Sequence, residues 1–269
     1  MAETRGLEVR GLSKRFGGVQ AVSGLDFVVL PGECVALIGP NGAGKSTTFA
    51  CIAGQQVPTS GQVQWNGVRV DTLSPAQRLR QGMARTFQVA QTFDALTVLQ
   101  NVQLLMRGAP VWSPVSTLDG LPPEPAMALL QRVGLAALAQ SDARSLAYGA
   151  KKRLELAMAL AGIADRDERD TPALLLLDEP AAGLAAAERT ALMQLVHSLT
   201  RAQEGKQAMA VLYTEHNMDA VFGVADRVLV MMEGSLVASG SADAVARNPL
   251  VRNRYLGQTF QHATQDDDA

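Results

Sequence analysis

A chain of 269 residues, 47% hydrophobic and 19% charged, is long enough to bury a sizeable core and has the composition of an ordinary globular protein. Its formal net charge of -2 lacks the basic excess that nucleic-acid or anionic-membrane partners leave on a sequence, so no nucleic acid is expected among its partners. No apolar run reaches the roughly 20 residues of a membrane helix, and the opening MAETRGLEVR has no signal-peptide segment, which predicts a cytoplasmic chain. The two cysteines, Cys34 and Cys51, then read as reduced core residues.

Taken in chain order, residues 7–10 alternate in polarity, and residues 21–30 give a second β-like stretch that stops at Pro31-Gly32. Together they predict a small hairpin system. Residues 34–38 (CVALI) are apolar without a break and end at Gly39-Pro40, the pattern of a strand buried on both faces of a parallel sheet. A helix should follow. Residues 97–161 are mostly helical in period, interrupted by the Pro-rich stretch 110–125, which predicts a helical insertion. Buried-strand runs resume at 173–177, 208–214 and 227–232, with helical stretches 187–202 and 218–225 among them. That alternation is the signature of a parallel α/β sheet. Residues 164–171 (ADRDERDT) read as a charged loop and 265–269 (QDDDA) as a solvated acidic end.

Chemistry enters between the first buried strand and its helix. Gly39-Pro40-Asn41-Gly42-Ala43-Gly44-Lys45-Ser46 fits the phosphate-loop pattern G-x-x-x-x-G-K-[ST] in the strand-to-helix context that the pattern requires. Glycines let backbone N–H groups turn inward around phosphates, and the helix N-terminus adds positive potential there. Lys45 is expected on the β- and γ-phosphates, the Ser46 hydroxyl on Mg2+, and Thr47 close to the α-phosphate. A second strand, Leu174-Leu175-Leu176-Leu177, ends in Asp178-Glu179. Asp178 is expected to orient the Mg2+, and Glu179 to act as the general base that polarises the attacking water.

With both nucleotide motifs in place, the chain resembles the ABC transporter ATPases. The resemblance spans roughly residues 7–257 and implies an α/β fold: a phosphate-loop (RecA-like) parallel-sheet core with an N-terminal antiparallel β subdomain and an inserted α-helical subdomain. Boundaries follow at 1–88 for the β subdomain and first part of the core, 89–163 for the helical subdomain, 164–256 for the second part of the core, and 257–269 for a tail. It further implies that Phe16 stacks on adenine, that Gln88 contacts Mg2+ or the lytic water, and that His216 contacts the γ-phosphate. Residues 89–99 are then the expected coupling surface to a membrane partner, with Phe93 and Leu96 exposed.

The signature segment, which in this family binds the ATP held by the opposite subunit, reads Leu146-Ala147-Tyr148-Gly149-Ala150. Ala147 stands where the family usually has Ser, so one hydrogen bond to the γ-phosphate is missing, worth about 1.5–3 kcal/mol for a charged acceptor. Ala185 likewise stands where many relatives carry the aspartate that crosses the dimer interface. An intact ATP-holding half with an altered lending half suits a heterodimer with a second ATPase subunit better than a homodimer.

Among ABC ATPases the closest resemblance is to subunits of branched-chain and other hydrophobic amino-acid importers. Four segments carry it: Phe16-Gly17-Gly18-Val19-Gln20-Ala21-Val22; Arg85-Thr86-Phe87-Gln88 with Leu96-Thr97-Val98 and Asn101-Val102; Asp178 to Leu184; and Glu215-His216-Asn217-Met218-Asp219. The ending Arg254-Tyr255-Leu256-Gly257 agrees. This implies ATP and Mg2+ as cofactors and two membrane permease subunits and, indirectly, a periplasmic substrate-binding protein as partners. It places the chain peripherally on the inner face of the cell membrane. Two alternatives stand beside it: a lipopolysaccharide-export motor, which shares the Tyr-Leu-Gly ending but usually keeps the signature serine, and a nucleotide-sensing module outside transport, against which Lys45, Asp178, Glu179 and His216 speak.

Overall fold

The computed structural model describes residues 5–86, 91–106, 118, 120–164, 171–202 and 208–257. Its ten strands form two sheets. The first is antiparallel, in the order β2-β1-β4-β5, from β1 (Leu7–Phe16), β2 (Val19–Val29), β4 (Ser60–Trp65) and β5 (Val68–Arg69). The second runs β10-β9-β3-β8-β7-β6, from β3 (Cys34–Ile38), β6 (Met83–Arg85), β7 (Leu174–Asp178), β8 (Ala210–Thr214), β9 (Arg227–Met232) and β10 (Ser235–Gly240). Its pairings are parallel except at the edge, where β10 joins β9 antiparallel through a tight turn. The expected hairpin is thus enlarged to four strands, and the parallel sheet carries two strands, β6 and β10, outside the runs read from sequence.

The unbroken apolar runs are explained by a layer on each face of the parallel sheet. Side chains alternate across a strand, so Cys34, Ala36 and Ile38 of β3 join one core with the helices, while Val35 and Leu37 join a second core with Leu7, Val9, Leu12 and Trp65 of the antiparallel sheet. β7 divides the same way, Leu175 and Leu177 to the first core, Leu174 and Leu176 to the second. Cys34 and Cys51 are buried free thiols. Burial, helped by the nearby Asp226 and Glu33 carboxylates, pushes the Cys34 thiol up to about 12, so it behaves as an inert apolar group.

The inserted helices are α3 (Val98–Leu105), α4 (Glu124–Arg132) and α5 (Tyr148–Ala164). α3 starts where the sequence says it should: Thr97 accepts from the Gln100 N–H while the Gln100 side chain returns the bond, a reciprocal cap. Asn101, fully buried, then ties the preceding loop down, accepting from the Phe93 N–H and donating to the carbonyls of Phe93 and Thr97. That loop corrects one expectation. Phe93 is 46% exposed, as expected, but Leu96 is 8% exposed and belongs to the buried side of the insertion. Most of the Pro-rich stretch and residues 165–170 lie outside the described residues.

Of the other helices, α1 (Lys45–Ile52), α2 (Pro75–Arg80), α6 (Ala186–Thr200), α7 (Met218–Phe222) and α8 (Ala242–Arg247) connect or flank strands of the sheets. α6 and α7 fall within the helical stretches read at 187–202 and 218–225, apart from one residue at the start of α6. No helix among the described residues is long and apolar enough to cross a membrane.

Candidate active site

The C-terminal ends of three adjacent strands of the parallel sheet, β3, β8 and β7, carry the candidate site. β3 delivers the loop from Gly39 to Gly44, whose backbone only glycine accepts at two points. Gly39 and Gly44 have φ of +149° and +98°, and a Cβ there would stand 2.1 Å from the Met231 carbonyl and 2.4 Å from the Ala21 carbonyl. The loop is therefore pressed against β9 and β2. Its outer rim is open: no atom lies within 4 Å of a Cβ built on Gly42, and Asn41 and Ser46 are exposed. Ala43 donates to the Pro40 carbonyl at 3.1 Å, which closes the turn, and Thr48 donates its hydroxyl to the Gly44 carbonyl at 3.0 Å, which fastens the first turn of α1.

Lys45 is buried and its Nζ donates to the carbonyls of Gly39 (2.7 Å) and Pro40 (3.1 Å), folded across the mouth of its own loop. Burial holds its pKa below the usual lysine range, and the charges of Glu179 and Asp178 act in the opposite sense. The first helix has no acidic residue in its first turn and no side-chain cap at Gly44. Its N-terminus thus carries positive potential that no acid of its own first turn neutralises.

β7 supplies the acids. Asp178 Oδ1 accepts from the Thr214 hydroxyl at 2.8 Å and its Oδ2 from the Arg85 guanidinium at 2.8 Å, so two neighbouring strands orient it. Arg85 is itself held by Gln55 and lies over the Phe49 ring, 6.0 Å to the centroid. The next residue, Glu179, has φ +48° although it is not glycine. Such a conformation costs about 1–3 kcal/mol and persists only where its surroundings hold it. Here they do: the Glu179 N–H donates to the Thr214 hydroxyl (3.0 Å) and carbonyl (3.2 Å), and Pro180 ends the strand behind it. The turn presents the Glu179 carboxylate to His216, Oε1 to Nε2 at 2.6 Å.

β8 supplies His216 and the buried Glu215 beside it. Glu215 accepts from the Ala181 N–H at 2.8 Å and the His216 N–H at 3.2 Å, while burial and the Glu179 charge push its pKa upward. Asn217 caps α7 through the Ala220 N–H at 3.0 Å, which anchors the far side of the His216 loop.

Of the residues singled out from sequence, Lys45, Asp178, Glu179 and His216 come together at these strand ends. Gln88 lies outside the described residues. Phe16 stands at the exposed end of β1, 46% accessible, with the Lys14 ammonium over its ring at 4.9 Å. The segment 146–150 occupies the start of α5. Leu146 and Gly149 are buried, Ala147 and Tyr148 exposed, and Ala150 half-buried. Gly149 lies against the Glu188 carboxylate of α6, which a Cβ would approach to 2.9 Å, and Tyr148 lies against Gly183. Ala185 takes the N-cap position of α6 in extended conformation, with no side-chain bond to the helix. Sequence reading did not find Thr214, Arg85 or Glu215 as site residues. The only signals were polar groups at or just beyond the ends of apolar strands.

The glycine loop between β3 and α1, with two acids at the end of β7, gives the core the layout of a phosphate-loop fold. The family model for ABC transporters matches residues 22–182, and the chain belongs to that family as its ATP-binding, ATP-hydrolysing component. It is 35% identical over 261 residues to the high-affinity branched-chain amino acid transport ATP-binding protein LivG of Escherichia coli, covering 94% of this chain and 98% of that protein. BraF of Pseudomonas aeruginosa, with the same description, is 34% identical over 261 residues, at the same 94% and 98% coverage. Among solved structures, the ADP conformation of MJ1267, an ATP-binding cassette of an ABC transporter, superposes with a TM-score of 0.78 at 28% identity, over 94% of this chain and 99% of that one. CbiO1 of Clostridium perfringens, part of the transporter complex cbiONQ, gives 0.76 at 25% identity, over 98% and 100%.

Proposed function

We propose that this chain powers an importer for branched-chain or other hydrophobic amino acids. In this reading it works from the cytoplasmic face of the membrane, on two permease subunits fed by a periplasmic binding protein. Support comes from the near full-length similarity to LivG and BraF and from the four segments that carried the resemblance in sequence. The observation that bears the chemistry is the Glu179–His216 contact of 2.6 Å, made from a strained backbone at the end of β7.

The residues fit a magnesium nucleotide. Lys45, which donates to two loop carbonyls, can exchange them for phosphate oxygens, and the exposed Asn41, Gly42 and Ser46 on the outer rim leave room for the phosphates. Phe16 offers its exposed ring to the adenine. Among the described residues no group of three or more His, Cys, Asp and Glu could hold a metal by itself, as suits an ion whose ligands are completed by phosphates, with Ser46, Asp178 and Gln88 as the protein's share. When bound, the ion neutralises charge that develops on the transferring phosphoryl group. Glu179 accepts a proton from the attacking water, and His216 fixes the carboxylate and faces the γ-phosphate. Residues 146–150 lend their α5 N-terminus to the partner's nucleotide, without the hydroxyl that Ala147 lacks. The heterodimer, the subdomain boundaries at 88, 163 and 256, and the coupling role of the loop around the exposed Phe93 belong to the same proposal.

Replacing Glu179 with Gln tests it. Turnover is expected to fall by about 10²–10⁴-fold while ATP still binds and the closed dimer accumulates. Unchanged hydrolysis would remove Glu179 from the role of base.

A further inference from the structure

Glu215 stands between the two turns that carry Glu179 and His216, and none of the roles above uses it. It is 3% exposed and follows β8 directly. Its carboxylate faces backbone: the Ala181 N–H reaches Oε1 at 2.8 Å and the His216 N–H reaches Oε2 at 3.2 Å. Ala181 lies two residues beyond Glu179 in the turn after β7, while His216 and Asn217 lie in the turn after β8. One side chain therefore binds both turns, through the Ala181 and His216 N–H groups, which no strand pairing satisfies.

The arrangement is expensive. A buried carboxylate costs several kcal/mol unless fully hydrogen-bonded, and the negative charge of Glu179 nearby adds to the cost. Lys152 of α5, buried and within range of the charges of Glu155, Glu215, Asp178 and Glu179, offsets part of it. A small apolar residue at 215 would spare this charge but leave the buried Ala181 N–H, and the partly buried His216 N–H, without their partner.

We propose that Glu215 is a positioning residue for hydrolysis, clamping the turn after β7 to the turn after β8 so that Glu179 and His216 meet at hydrogen-bond distance. The proposal rests on the reading of Glu179 as base. A group acting in this way sets how often the pair is aligned and leaves nucleotide affinity alone, because its partners are protein N–H groups. Displacements on the order of an ångström in a catalytic pair can cost up to about a hundredfold in rate.

The test uses the full chain in three variants, Glu215→Ala, Glu215→Gln and Glu179→Gln. For each, steady-state ATPase, affinity for a fluorescent ATP analogue and melting temperature are measured. Glu215→Ala is expected to lower kcat about tenfold or more. Glu215→Gln, whose amide oxygen still takes the Ala181 N–H but whose NH2 opposes the His216 N–H, should lower it about three- to fivefold. KM and analogue affinity should stay within about twofold. A kcat within twofold of the unmodified chain in both variants, or a loss carried by nucleotide affinity, overturns the proposal. Should Glu215→Ala fail to fold, the volume-matched Gln variant decides by the same two criteria. Full activity of Glu179→Gln overturns the base assignment instead, so the two failures are told apart.

Discussion

Lys45 faces two carbonyls in a place built for phosphates. Burial depresses its pKa, and phosphate oxygens in place of carbonyls favour its charged form. Nucleotide therefore binds the protonated lysine preferentially. Below the depressed pKa affinity is independent of pH. As pH rises through it, each binding event takes up a proton and affinity falls, by up to about tenfold per unit. Calorimetry of ATP binding across alkaline pH, in two buffers of different ionisation enthalpy, checks both the fall and the proton uptake. A flat profile through pH 10 would show that Lys45 keeps its ordinary pKa. At this scale much was legible: the glycines, Lys45, Asp178 and Glu179 announce themselves by spacing. Thr214 and Glu215 did not, because a hydroxyl closing an apolar strand and a glutamate after it look like ordinary strand-end polarity until β7 and β8 are placed side by side.

Elements divide by how regular their burial is. β3, β7 and β9 were readable because both faces of each are covered, which leaves uninterrupted apolar runs. β6 has three residues and β4 reads Ser-Gly-Gln-Val-Gln-Trp, so neither carries a run long enough to stand out; pairing with β7 and β1 fixes them instead. The exposure expected for Leu96 failed for a similar reason. Asn101 pulls the loop from Phe93 to Thr97 onto α3, a hydrogen-bond effect invisible to periodicity. α6 shows the opposite case. The sequence marked Ala185 as a missing interface aspartate, and the structure adds that it sits at an N-cap left without a side-chain acceptor. Ala185→Asp should cap the helix and stabilise the chain by about 0.5–2 kcal/mol, seen as a raised midpoint in urea unfolding. No change, or a decrease, would mean that the cap position is not available to a side chain.

In the whole molecule, one face of the parallel sheet packs with α1 and the antiparallel sheet and the other with α3 to α8, so the nucleotide end and the α5 signature belong to different parts of one chain. ATP hydrolysis in this family joins the phosphate loop of one subunit to the signature of another. Here the holding half brings Lys45, Asp178, Glu179 and His216 together, whereas the lending half lacks the hydroxyl at Ala147 and keeps the Glu188 carboxylate against Gly149. Under the proposed heterodimer, a second copy of this chain is expected to be a poor partner and a different ATPase subunit with an intact signature a better one. The direct measurement is the ATPase rate of this chain alone, of its Ala147→Ser variant, and of the chain mixed with the second ATPase subunit of the same transporter bearing an inactivated catalytic glutamate, so that turnover reports this chain's Glu179. Mixing should raise the rate per chain by about tenfold, the scale of a charge-assisted hydrogen bond, and Ala147→Ser should recover part of that gain without the partner. Equal turnover with and without the partner would contradict the unequal pair.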